Sequence, residues 1–173
     1  TPSPPRRRPP PASRVLWQCA AMALAPPSRG SFVAPAHRFA LTVYFEYPDT
    51  AWIVYYANYL KFMERARSDM LRAAGIDQRA AIDAGEGVYA VAEVNIRYLR
   101  PARLGDDLVI VSTLDAVRAA SVVIHQQVMR GAEHLADARV TAAFLSTDAR
   151  PRRQTKAWTD RFNQIIEGHR LNA

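Results

Sequence analysis

One stretch of helical period sits among segments that alternate, and that combination constrains the fold more than any other feature of the chain. From Ala57 to Ala74, the residues Leu60, Met63, Ala66, Met70, Leu71 and Ala74 recur at steps of three and four. They form one apolar stripe on a helix. Lys61, Glu64, Arg65, Arg67 and Asp69 fall largely off it. Asn58 reads as an N-cap and Gly75 as a C-terminal stop. Before this helix, residues 38–46 (RFALTVYFE) alternate, with Phe39, Leu41, Val43 and Phe45 on one face. After it, residues 88–98, 107–117, 121–130 and 136–144 read as four further strands, separated by turns at 101–106, near 119 and at Gly131-Ala132. A short second helix is predicted over Gln78–Ala84 and a terminal one over 157–168. Short links between consecutive strands imply antiparallel neighbours. One sheet can bury one helix by wrapping around it. The expected architecture is α+β: a five-stranded antiparallel sheet around one long central helix. The other face of the sheet is left poorly covered, so a homodimer or homotetramer is expected.

The 173 residues suit a single domain, and half of them are hydrophobic, enough for a sizeable core. No apolar run approaches the roughly 18 residues of a membrane span. The formal charge of +7 is unevenly spread. Residues 1–36 carry five arginines and no acid, leaving 18 basic against 16 acidic residues elsewhere. The body is close to neutral, so charge gives little support to nucleic-acid binding. Residues 1–13 are Pro, Arg and Ser in the main and cannot bury enough surface to fold. The apolar stretch VLWQCAAMALA that follows the arginines resembles a secretory signal, but Trp17-Gln18-Cys19 interrupts it, and a disordered extension is the preferred reading. The predicted organisation is a tail over 1–36, a domain over 37–157, and a C-terminal helix or tail over 158–173. The lone cysteine, Cys19, makes no internal disulfide and fits a reducing, cytoplasmic setting. His37, His125, His134 and His169 lack ligand spacing, so no metal site is expected.

The segment joining the first strand to the helix is the most informative for chemistry. It reads YFEYPDTAWIVYYANY over residues 44–59. Asp49 follows Pro48, where an aspartate serves either as a turn former or as a reactive carboxylate. Trp52, Tyr55, Tyr56, Tyr59 and Phe62 make a dense aromatic set that could line a pocket or pack a core. Arg97, Arg100 and Arg103 lie near the end of the 88–98 strand and the turn after it. Glu64 is a second carboxylate, and its neighbours Lys61, Arg65 and Arg67 favour a solvated ion pair.

Residues 54–67 (VYYANYLKFMERAR) and 97–106 (RYLRPARLGD) resemble two blocks of the 4-hydroxybenzoyl-CoA thioesterase family, which includes the acyl-CoA thioesterases of the Tol-Pal type. The resemblance spans about 38–157 and implies the hot-dog fold. It maps the family's catalytic aspartate onto Asp49, as nucleophile or as general base for water. It maps the oxyanion donor onto the backbone N–H of Tyr56. Unpaired amides and the dipole at a helix start favour negative charge there. It further implies an acyl- or aryl-CoA substrate held by Trp52, Tyr55 and Tyr59. Arg97, Arg100 and Arg103 are candidates to meet the phosphates. No cofactor beyond the substrate's own coenzyme A is implied. The chain departs from the family at Trp52, where glycine is usual, and at Phe45 and Tyr56, where the Tol-Pal branch carries tyrosine and histidine. Three functions remain on these residues: a thioesterase, a non-catalytic acyl-CoA or aromatic-acid binder, and a hydroxyacyl dehydratase. The last fits poorly, because no histidine lies between His37 and His125.

Overall fold

The computed structural model describes residues 30–168. Among these residues, six strands form one antiparallel sheet: β1 (Ser31–Val33), β2 (Ala36–Thr42), β3 (Val88–Tyr98), β4 (Asp107–Val117), β5 (Ser121–Arg130) and β6 (Glu133–Leu145). Their spatial order is β1-β2-β4-β5-β6-β3. Helix α1 (Tyr56–Ala73) is followed by α2 (Gln78–Asp83), and α3 (Lys156–Ile166) closes the described chain. This is the hot-dog architecture, with the curved sheet folded around α1.

The sheet has six strands where the sequence pattern predicts five. The extra strand, β1, lies within the segment assigned to the tail and forms a tight hairpin with β2 through Val33↔Ala36. Three residues are too few to show a period, so alternation could not reveal it. Arg6, Arg7, Arg8, Arg14, Cys19 and His169 lie outside the described residues.

The helix buries the face made by Tyr59, Phe62, Met63, Ala66 and Met70, all at most 3% exposed. Full burial of a side chain such as Phe62 or Met63 contributes about 1.5–3 kcal/mol. Ala66 is small at the centre of that face, which lets the sheet approach. The true stripe is rotated from the predicted one, because Tyr59 and Phe62 turn inward and Leu60 is left 38% exposed. The same rotation buries Arg67 and Asp69, which the period had placed outside.

These two charges are paired. Arg67 Nη1 donates to Gln126 Oε1 at 2.7 Å, and Gln126 Nε2 donates to the Met63 carbonyl and to Ser112 Oγ. The Arg67 pKa is pushed down by burial, against the pull of Glu64. Asp69 Oδ2 lies 3.0 Å from His37 Nε2 and accepts the Gly30 N–H at 2.8 Å. Burial pushes the His37 pKa below its usual value, outweighing the nearby Asp69. The polar seam divides two apolar clusters. One surrounds the first half of α1 with Leu108, Ile110, Val128 and Leu135. The other surrounds the second half with Leu114, Ile124, Phe162 and Ile165.

Gly75 ends the helix with φ +75°, and Ile76 N–H reaches back to the Leu71 carbonyl, satisfying a terminal acceptor. Gly87 admits β3 beside β6, since a Cβ there would lie 2.4 Å from the Leu145 carbonyl oxygen. Strand β3 is one edge of the sheet, opposite β1, and most of its residues are exposed.

Candidate active site

Three short segments meet at the start of α1. Residues 48–54 form a closed loop. Pro48 bridges Val54, Asp49 N–H donates to the Ile53 carbonyl at 2.8 Å, and Trp52 N–H donates to the Asp49 carbonyl at 3.0 Å. A turn followed by one left-handed residue is a common way to close such a loop, and that residue is normally glycine. Here it is Trp52, with φ +60°. The glycine that the resemblance implies at this position would meet a backbone demand that persists in this chain. A left-handed non-glycine residue costs on the order of 1–2 kcal/mol.

The loop is tied to the segment after β3. Val54 N–H donates to the Ala102 carbonyl at 2.8 Å, Ile53 bridges Arg103, and Ala102 N–H donates to the Tyr59 hydroxyl at 2.8 Å. The two sequence blocks of the resemblance are thus hydrogen-bonded neighbours. The helix start is fixed from the other side by Tyr47, whose carbonyl accepts Tyr55 N–H at 3.0 Å and Asn58 Nδ2 at 2.8 Å. Asn58 is not the N-cap. Tyr55 occupies that position and supplies no side-chain cap, while Asn58 is buried one turn in. The amides of Tyr56 and Ala57 have no acceptor among the described residues, as expected of an uncapped helix start.

A cavity of about 440 Å³ opens at this junction. Its lining includes Asp49, Tyr55, Tyr56, Tyr59, Tyr98 and Arg100. Asp49 Oδ1 accepts the Ala51 N–H at 2.8 Å. The residue therefore shapes its own turn with one oxygen and still lines the cavity. The Tyr98 hydroxyl donates to the Tyr56 carbonyl at 3.1 Å, holding the strand end against the helix start. Burial raises the pKa values of Tyr59 and Tyr98, and a hydrogen bond to Tyr56 raises that of Tyr55. These phenols stay protonated at neutral pH and offer dipoles rather than charge.

The other expected site residues fall elsewhere. Trp52 is 62% exposed and does not line the cavity; its effect comes through the loop backbone. Arg97 faces a different, polar concavity on the outer side of the sheet, beside His125, Asp137 and Arg139. Alternation along β3 sends Arg97 and Tyr98 to opposite faces. Arg103 flanks the site by its backbone, donating its N–H to Asp106. Glu64 accepts from Arg67 and Ser68 and lines a separate groove. Eight residues along a helix put it roughly 12 Å beyond Tyr56, too far to share a substrate atom with Asp49 in one chain. Ile53, Tyr98, Leu99 and Pro101 also line the cavity; the last three lie in the second sequence block, which marks the segment without giving them a role. Tyr98 was visible there as the last apolar residue of a strand.

The fold is that of the hot-dog thioesterases, and the chain belongs to the thioesterase superfamily, whose family model matches residues 53–136. Its enzyme class is accordingly thioester hydrolase. The matched stretch covers the helix start and the second block, and begins just after Asp49. The chain is similar to the acyl-CoA thioesterase YbgC of Haemophilus influenzae, at 32% identity over 105 residues, 61% of this chain and 77% of that protein. It is also similar to the acyl-CoA thioester hydrolase YbgC of Escherichia coli, at 36% over 92 residues, 53% and 68% of the two chains. Among solved structures, a probable thioesterase from Bartonella henselae superposes with a TM-score of 0.66 at 28% identity, covering 69% of this chain and 99% of that one. No described helix is long and apolar enough to cross a membrane.

Proposed function

We propose that the protein hydrolyses an acyl- or aryl-coenzyme A thioester to the free acid and coenzyme A, with Asp49 as the reacting carboxylate. The observation that carries this is the cavity shared by Asp49 and the uncapped start of α1. The thioester carbonyl oxygen sits against the Tyr56 N–H. Negative charge developing on it is stabilised by that amide and by the helix dipole. Asp49 either attacks the carbonyl carbon, giving a mixed anhydride that water then cleaves, or removes a proton from the attacking water. In both routes the carbon–sulfur bond breaks and coenzyme A leaves as its thiolate, a good leaving group that needs no strong acid. These steps use no metal or cofactor. Tyr55, Tyr59 and Tyr98 supply an aromatic wall for the acyl or aryl group, and Arg100 meets the phosphates of coenzyme A. The kinship with acyl-CoA thioesterases supports the choice of thioester. The protein acts in the cytoplasm as a homodimer or homotetramer. The free edge of β3 supports self-association, because alternate residues along this eleven-residue strand would otherwise turn their backbone N–H and C=O groups to solvent.

The test is an activity panel of short, medium, long and aromatic acyl-CoAs, run on the wild type and on Asp49→Asn. Loss of a reacting carboxylate is expected to lower kcat/KM by about 10²–10⁴. Equal rates in the two proteins would reject Asp49. Tight binding of the esters without turnover would turn the protein into a carrier.

A further inference from the structure

We propose that Glu133 is a positioning residue: it holds the Arg100 guanidinium at the cavity mouth so that it can take a phosphate of the coenzyme A moiety. The inference rests on the acyl-CoA reading above. Arg100 lines the cavity and is fixed from its backbone outward. Its N–H and that of Leu99 both donate to the Leu135 carbonyl, at 3.1 and 2.8 Å. Its Nε lies 3.1 Å from Glu133 Oε1, and its Nη1 donates to the His134 carbonyl at 3.3 Å. One strand, β6, therefore grips both the main chain and the head of this side chain.

The charges are shared unequally. Glu133 Oε2 accepts from Arg130, so a single carboxylate serves two guanidiniums. Arg130 also holds Asp106, at 2.6 Å. Arg100 has no second carboxylate among the described residues. The cluster of two guanidiniums and two carboxylates is neutral overall, but Arg100 only shares its one carboxylate, and it is the member that faces the cavity. Its Nη2 has no acceptor among the described residues. A guanidinium presents its donors in a planar fork suited to phosphate oxygens. Holding the fork in place beforehand removes part of the ordering cost of binding. Glu133 contributes by fixing that fork and touches no reacting atom.

Calorimetric titration of the full chain with coenzyme A and with pantetheine, which lacks the nucleotide and its phosphates, separates this role from a structural one. The wild type should bind coenzyme A more tightly than pantetheine, with an affinity that falls as salt rises. Arg100→Ala and Glu133→Gln should each weaken coenzyme A by about tenfold, the loss of one charge-assisted contact. Both should leave pantetheine within about twofold, and Glu133→Asp should recover most of the loss. Equal weakening of both ligands by Glu133→Gln would overturn the proposal. So would an unchanged coenzyme A affinity in that variant, or a wild type that does not distinguish the two ligands. Binding of coenzyme A needs no turnover, so failure of the hydrolase reading appears separately, in the activity panel.

Discussion

At its C-terminal end, α1 stops at Gly75, and Met70, Leu71 and Ala74 are sealed under Phe162 and Ile165 of α3. At its N-terminal end, the same helix begins without a side-chain cap, beside a loop that holds a tryptophan at φ +60°, and its first amides open into a cavity. One end is finished for stability and the other is left unfinished. A helix start with spare donors is costly to bury and useful to an anion. The contrast teaches where to look: the end that forgoes capping is the end to which the proposed chemistry is assigned, and the sealed end supplies stability that would tolerate it.

That contrast can be broken at either end. The largest effect is expected from Phe162→Ala at the sealed end, which empties a fully buried ring site. Unfolding in denaturant should show a loss of about 3–5 kcal/mol, with kcat/KM on the preferred thioester unaltered under conditions where the variant is folded. A change in kcat/KM of the size seen for Asp49→Asn would mean that the two ends are not independent.

Acidification probes the seam between them. The His37 pKa is lowered in the folded chain by burial, despite Asp69. A group of this kind takes its proton more readily when unfolded. Its contribution is therefore fully present above the unfolded pKa of about 6.5 and falls as pH drops through 6.5 toward the folded value. The Tm should decline over that window, and the decline should be shallower in His37→Gln. An unchanged slope in that variant would place the sensitivity elsewhere.

The smallest effect sharpens the open end. Trp52→Gly should stabilise the chain by about 1 kcal/mol by relieving the left-handed backbone, read as a rise in Tm. Since Trp52 stands outside the cavity lining, the same variant should shift acyl-chain preference little. A large shift would mean that the indole reaches the substrate.

Much of this was legible in the sequence because period is a robust signal. The strands over 88–98, 107–117 and 121–130 match β3, β4 and β5 residue for residue, since each is long and bounded by turns. The resemblance singled out Asp49, Tyr55, Tyr56, Tyr59 and Arg100, and these five line one cavity. What escaped depends on angles and partners that a period does not encode. A rotation of α1 by a fraction of a turn exchanged Leu60 for Tyr59 and Phe62, and buried Arg67 and Asp69. Those charges are tolerable inside only because Gln126 and His37, far along the chain, arrive to pair with them. Asn58 looked like a cap because short amides often are, yet its partner is the Tyr47 carbonyl from another segment. Arg97 looked equivalent to Arg100, and strand geometry sent it to the opposite face of the sheet.

Ala102 is fully buried, and its two main-chain groups are each occupied: the carbonyl by Val54, the amide by Tyr59. The wall bearing the carboxylate and the wall bearing the cationic grip are in effect hung from a single nail. Neither can be shifted alone, so the spacing between them is set by the main chain and acts as a fixed gauge. On the proposed acyl-CoA reading, a change in the accepted acyl group would come from exchanging the aromatic panels around that gauge, not from widening it.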